Sequence, residues 1–185
     1  MRRLSLLSCI FVVAVASSGC SIVAPHYSAS MENVQKLKDS GTLGAKAGSF
    51  SGQDVSNANS ISLRAASLTS PYGSYANYLA EAVKQELQLA GKLNAGTDIE
   101  VSGILLKNDI DVSGFTTGYG NIEARFVVKS GEKVRYDRIK SAHAEWESSF
   151  AGAVAIPRGR DEYPRLVQQL LGTLYADQSF IEALK

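Results

Sequence analysis

The chain has little of what most enzymes and nucleic-acid binders need. Its 185 residues include two cysteines, two histidines, one tryptophan and four prolines. The formal net charge is only +1. Two cysteines cannot build a disulfide framework, so a fold must be held by its core. A near-neutral chain carries no electrostatic footprint for nucleic acid, and none of its segments is polybasic enough to hold anionic lipid by charge. No Gly-x-Ser-x-Gly elbow occurs, which removes support for a serine hydrolase. The glycine-rich stretch Gly114–Gly120 lacks Gly-Lys-Ser/Thr and does not open a helix, so it is not a phosphate loop. The longest apolar run, Leu4 to Ala16, falls short of the ~20 residues that a spanning helix requires.

What is present begins at the N-terminus. Arg2 and Arg3 precede the apolar run, and the small residues Ala16-Ser17-Ser18-Gly19 lead to Cys20. A positive segment, an apolar segment and small residues at a cut site mark an exported precursor. Two cleavage sites fit. Ala14-Val15-Ala16 is an A-x-A site, and use of it would leave a soluble protein with a free thiol at Cys20. The segment ending in Gly19-Cys20 also resembles the lipobox of bacterial lipoproteins, although Ser17 stands where that family commonly has leucine. The resemblance implies cleavage before Cys20, with diacylglycerol on its sulfur and an amide-linked acyl chain on its nitrogen. Ser21, rather than aspartate, follows Cys20, which implies an outer-membrane anchor facing the periplasm. Removal of Arg2 and Arg3 takes the 19 basic residues to 17 against 18 acidic, a formal charge of −1.

Residues 1–19 are therefore expected to be a signal peptide and residues 20–40 an acylated N-terminus with a flexible tether. Residues 41–185 are expected to form one α+β domain. Ser21 to Ser30 is small and polar with Pro25, Met31 to Lys38 fits one or two helical turns, and Ala45 to Phe50 fits a weak strand. Ile61 to Leu68 alternates as one strand. After the turn Ser70-Pro71-Tyr72-Gly73, Ser74 caps a helix to Ala90 with Ala76, Leu79, Ala80, Val83, Leu87 and Ala90 on its apolar side, and Gly91 ends it. Three antiparallel strands follow: Thr97 to Lys107, Asn121 to Lys129, and a long segment from Lys133 whose apolar side runs Ala142, Ala144, Trp146, Ser148, Phe150. Ala151 to Arg160 reads as a loop, with Asp161 capping a second helix and Asp177 a short last one. The sum is an antiparallel sheet of about four strands with two main helices on one face.

No constellation carries catalysis, and the chain is expected to be non-enzymatic. Asp109-Ile110-Asp111-Val112-Ser113-Gly114 opens like a calcium loop, but its twelfth position is Gly120, not glutamate, and strands flank it. His143, Glu145 and Glu147 share one strand face, where neighbours splay instead of converging on an ion. His26 sits in the expected tether. No metal and no dissociable cofactor are expected. Phe115 and Tyr119, at the expected hairpin tip, are candidate contacts for a partner or a membrane interface.

The lipobox, the order of elements and two segments carry a wider resemblance. The segments are Tyr75-Ala76-Asn77-Tyr78-Leu79-Ala80-Glu81-Ala82-Val83, with Gln85-Glu86-Leu87 before Gly91, and the closing Phe180-Ile181-Glu182. From about Ile61 to Lys185 the chain is similar to small envelope lipoproteins: the YajG-like lipoproteins, the auxiliary lipoproteins of ABC-type lipid transporters, and LptE. The resemblance implies a binding or accessory role toward an envelope protein or lipid partner. It leaves open a lipid-carrying component of an ABC-type transport system, which would need an apolar cleft between sheet and helices.

Overall fold

The computed structural model describes residues 20–41, 44–52 and 57–185. The expected signal peptide, residues 1–19, lies outside them. Eleven elements follow in order: β1 (Cys20–Val23), α1 (Met31–Asp39), β2 (Lys46–Gly52), β3 (Ser60–Leu63), β4 (Ala66–Thr69), α2 (Tyr75–Leu89), β5 (Ile99–Asp111), β6 (Thr117–Ser130), β7 (Lys133–Glu147), α3 (Gly152–Tyr175) and α4 (Gln178–Ala183).

The fold is α+β, built on two sheets. The larger has the order β2-β5-β6-β7, and the smaller β1-β4-β3. Both are mixed: β5, β6 and β7 form an antiparallel meander, β2 joins β5 in parallel, and β1 joins β4 in parallel. The expected all-antiparallel sheet is thus corrected. The crossover through β3, β4 and α2 brings the chain back in the direction of β2, and only a connection of that length allows a parallel pair.

One face of the large sheet is the core. Val101, Leu105, Ala124, Phe126 and Val128 point inward at period two and meet Leu79, Val83 and Leu87 of α2 and Leu166, Leu170 and Leu174 of α3. These side chains are fully or almost fully buried. Each contributes roughly 1.5–3 kcal/mol of transfer free energy, and together they fill the space between sheet and helices. A lipid carried between the layers would have to displace them.

The caps of α2 match the sequence signals. Ser74 Oγ accepts the Asn77 N–H at 3.1 Å, and Gly91 takes φ +70° just past the helix. The buried side of α2 is wider than its stripe of small and aliphatic residues, because Tyr75, Tyr78, Ala82 and Glu86 are buried as well. A second set of elements covers them, including residues 24–34.

Three sequence expectations are corrected here. Residues 20–40 are not a free tether: β1 pairs with β4 from Cys20 opposite Ala66 to Val23 opposite Thr69, Ala24 and Tyr27 are buried, and α1 packs Val34 and Leu37 into the core. The segment Ile61 to Leu68 is a tight hairpin and not one strand, turning at Arg64 with φ +56°. The expected loop Ala151 to Arg160 is the first part of α3, which continues through Pro157 and Pro164. Each proline removes one intrahelical bond. Packing outweighs that loss: Ala155, Gly159 and Tyr163 extend the stripe of Leu166, Leu170 and Leu174 toward the N-terminus and are buried. Gly159 permits the close approach, since a Cβ there would lie 2.6 Å from Val112 Cγ1. Asp161 is consequently inside the helix, paired with Arg160, and is not its cap.

Candidate functional site

The turn at Arg64 organises one end of the molecule. A positive φ is costly for a residue with a Cβ. Here the side chain offsets it by binding the carbonyls of two other connections. Nε donates to Val112 O at 2.8 Å, Nη2 to Gly114 O and Ser149 O at 3.1 Å each, and Nη1 to Phe150 O. The β5–β6 turn and the link from β7 to α3 are thereby fastened to the β3–β4 turn. Phe115 and Phe150, one from each fastened segment, stack with ring centres 5.0 Å apart and planes 13° apart. They are 74% and 68% exposed. Cys20, exposed and in no disulfide among the described residues, sits opposite Ala66, two residues after Arg64, so it belongs to this same end.

The structure separates the two residues expected at a common tip. Phe115 is at the turn, but β6 already begins at Thr117, and Tyr119 lies on the outer face of the large sheet. There it stands opposite Glu145 and stacks on His143, with ring centres 6.1 Å apart. Glycines extend this strand because the inner face needs them. A Cβ on Gly118 would lie 2.5 Å from Trp146 Nε1, and one on Gly120 3.0 Å from Leu166 Cδ2. Phe150, expected on the apolar side of the third long strand, lies beyond the end of β7 and is exposed.

The outer face carries Ile104, Arg125 and Ile139 side by side across β5, β6 and β7. Arg125 makes a two-pronged ion pair with Asp137, which holds that carboxyl below its ordinary pKa. Leu106 and Ile139 are exposed on this face. β7, 15 residues long, is the sheet's terminal strand and pairs only with β6 among the described residues. His143 Nδ1 lies 3.0 Å from Asn121 Oδ1. Among the described residues no group of three potential metal ligands comes together. Asp111 Oδ1 accepts the Ser113 N–H at 2.8 Å; the Ser113 side chain first, and this N–H second, lower its pKa.

A third feature, Glu86, is fully buried on α2. Its Oε1 accepts from the Tyr27 hydroxyl at 2.6 Å, the Ser30 N–H at 2.8 Å and Asn33 Nδ2 at 3.3 Å. Burial raises its pKa, and those hydrogen bonds oppose the rise. Oε2 and the buried Tyr175 hydroxyl beside it make no hydrogen bond of normal length. The group works as a latch that ties the N-terminal segment to the domain. The open groove of about 570 Å³ next to it, between α1 and α3, is lined by polar residues such as Asn33, Lys36, Arg165 and Gln168.

Sequence reasoning missed Arg64 and Glu86. An isolated arginine after an alternating run, and a glutamate among helical polar residues, carry no local signal. Only the pairing of distant segments gives them work. No helix of the described residues is long and apolar enough to cross a membrane.

No known protein family matches the sequence, and no curated protein is similar to it. Among solved structures, the crystal structure of protein XCC0632 from Xanthomonas campestris, assigned to the DUF330 family, superposes with a TM-score of 0.54. Identity is 10%, over 88% of this chain and 96% of that one. At that identity the likeness concerns the fold: this chain shares its architecture with a bacterial DUF330 protein.

Proposed function

We propose that the protein is a non-enzymatic lipoprotein of the bacterial outer membrane, anchored through acylated Cys20 and facing the periplasm. It acts there as a binding or accessory subunit for another envelope component. One observation carries the binding role: β7, 15 residues long, is the terminal strand of the large sheet and pairs with no strand but β6 among the described residues. An open edge of that length is a template for strand addition, and Leu106, Val134 and Ile139 are exposed on the same strands. The structural engagement of two carboxylates supports the non-enzymatic reading. Glu86 and Asp177 are each engaged in hydrogen bonds that hold elements together.

Brief cross-linking in native membranes, affinity purification of the lipidated protein and mass spectrometry test this. The expected result is one stoichiometric envelope protein, with cross-links on β7 and the outer face and with capture lost in Ile139→Asp. Cross-links confined to the helical side, or no stoichiometric partner, would contradict the reading.

A further inference from the structure

The lipoprotein reading places acyl chains on Cys20, and the structure leaves almost no slack between that residue and the folded domain. Cys20 is already the first residue of β1, paired with Ala66 of β4 at the usual strand spacing of about 4.8 Å. Chains on its sulfur and nitrogen reach a bilayer only if the surface around Cys20 lies against the lipid. That surface is the end fastened by Arg64, with Phe115 and Phe150 stacked and exposed upon it and Val154, 46% exposed, in the first turn of α3.

We propose that this end is a bilayer-docking tip: Phe115 and Phe150 seat in the lipid interface beside the acyl chains of Cys20. The inference rests on the lipoprotein reading. Two observations and two physical arguments carry it. The two rings come from separate segments, yet they are stacked on one another and left open. Their backbones are fixed by one arginine, so the pair is presented rigidly. Aromatic side chains favour the interface between headgroups and hydrocarbon. Several acyl chains on Cys20 hold the protein at the bilayer but leave it free to tilt, and a second contact sets its orientation. Docking through this end stands the large sheet away from the membrane. β5 runs from Ile99, beside the β6–β7 hairpin, to Asp111 at the tip, and its 13 residues span roughly 40 Å at ~3.3 Å each. The open edge of β7 then extends outward from the lipid surface into the periplasm.

The test uses the full lipidated protein, extracted from membranes and reconstituted in phosphatidylethanolamine–phosphatidylglycerol vesicles. Acylation occupies the Cys20 sulfur, so Phe150→Cys or Glu132→Cys supplies one free thiol for an environment-sensitive fluorophore. Glu132 lies in the hairpin at the opposite end of the sheet and is exposed, as Phe150 is, so neither change disturbs the core. Lipid-borne quenchers should quench the label at position 150 several-fold more than the label at 132, with a blue-shifted emission at 150 alone. Equal, water-like emission from both labels on protein whose intact mass shows the acyl chains would overturn the tip and leave the lipoprotein reading standing. A mass equal to the bare polypeptide would remove that reading and the tip with it.

Discussion

Three residues hold more of this fold than their neighbourhood in sequence suggests, and each makes a distinct prediction. Glu86 serves three donors with one oxygen. Glu86→Ala strands the Tyr27 hydroxyl and the Asn33 amide and opens a cavity, and should cost about 2–4 kcal/mol in urea unfolding at pH 7. Glu86→Gln retains the acceptor and should cost much less. Because burial raises the folded pKa of Glu86 above its ordinary 4.5, the native state holds its proton more tightly than the unfolded chain does. Wild-type stability should therefore fall as pH rises from about that value through the folded pKa, a slope that the glutamine variant lacks. At Gly159 two effects compete. Alanine gains up to ~1 kcal/mol of helix propensity, but its Cβ meets Val112 Cγ1 at 2.6 Å, and overpacking costs about 1–3 kcal/mol. The clash wins, so Gly159→Ala should lower the melting temperature. Arg64→Ala frees four carbonyls and unlocks the Phe115–Phe150 pair. Faster cleavage after Phe115 and Phe150, with little change elsewhere, is the expected outcome under limited chymotrypsin.

At the scale of elements, local pattern was legible where one face is buried and the other solvated. α2, β5, β6, β7 and the short α4 follow from period and capping: Asp177 Oδ1 takes the Ser179 N–H at 2.9 Å, as its position before a helix suggests. The same aspartate accepts from Lys140 at 2.7 Å and from the Tyr136 hydroxyl at 3.0 Å. Burial pushes its pKa up, but these bonds outweigh burial and hold it well below the usual aspartate value. Its contribution is complete above that ordinary value near 3.8 and is lost as pH falls toward the depressed one. Asp177→Asn keeps the cap but loses the ion pair with Lys140, which should cost about 1 kcal/mol at neutral pH, and it should flatten the loss of stability below pH 4, measured by denaturation across that range. The elements that misled are those fixed by distant partners. Pro157 and Gly159 look like loop residues, yet the close approach of α3 to β5 needs that glycine. The polar, Pro-containing run from Ser21 to Ser30 looks like a tether, yet Tyr27 and the Ser30 backbone are claimed by a carboxylate 56 residues and more away. Gly118 and Gly120 suggest a mobile loop until Trp146 is placed across them.

At the scale of the whole molecule, what matters is that the N-terminal segment is part of the domain. A chain anchored through Cys20 is then a rigid body with one end at the lipid and one long sheet edge free, not a globule on a string. The fold class was legible in the sequence. The site was legible only in part, because the docking end is assembled from three turns that no single stretch of sequence joins. Phe115 was found as an exposed aromatic, whereas its stacking partner and the arginine beneath them emerge from topology. The account depends most on Cys20 carrying acyl chains. Intact mass spectrometry of the protein extracted from its native membrane tests this directly, beside the Cys20→Ser variant. The account predicts a mass above that of the Cys20-started polypeptide by several acyl chains, and release of the variant from the membrane fraction. A wild-type mass equal to the unmodified polypeptide beginning at Ser17, with a titratable thiol at Cys20, would contradict it.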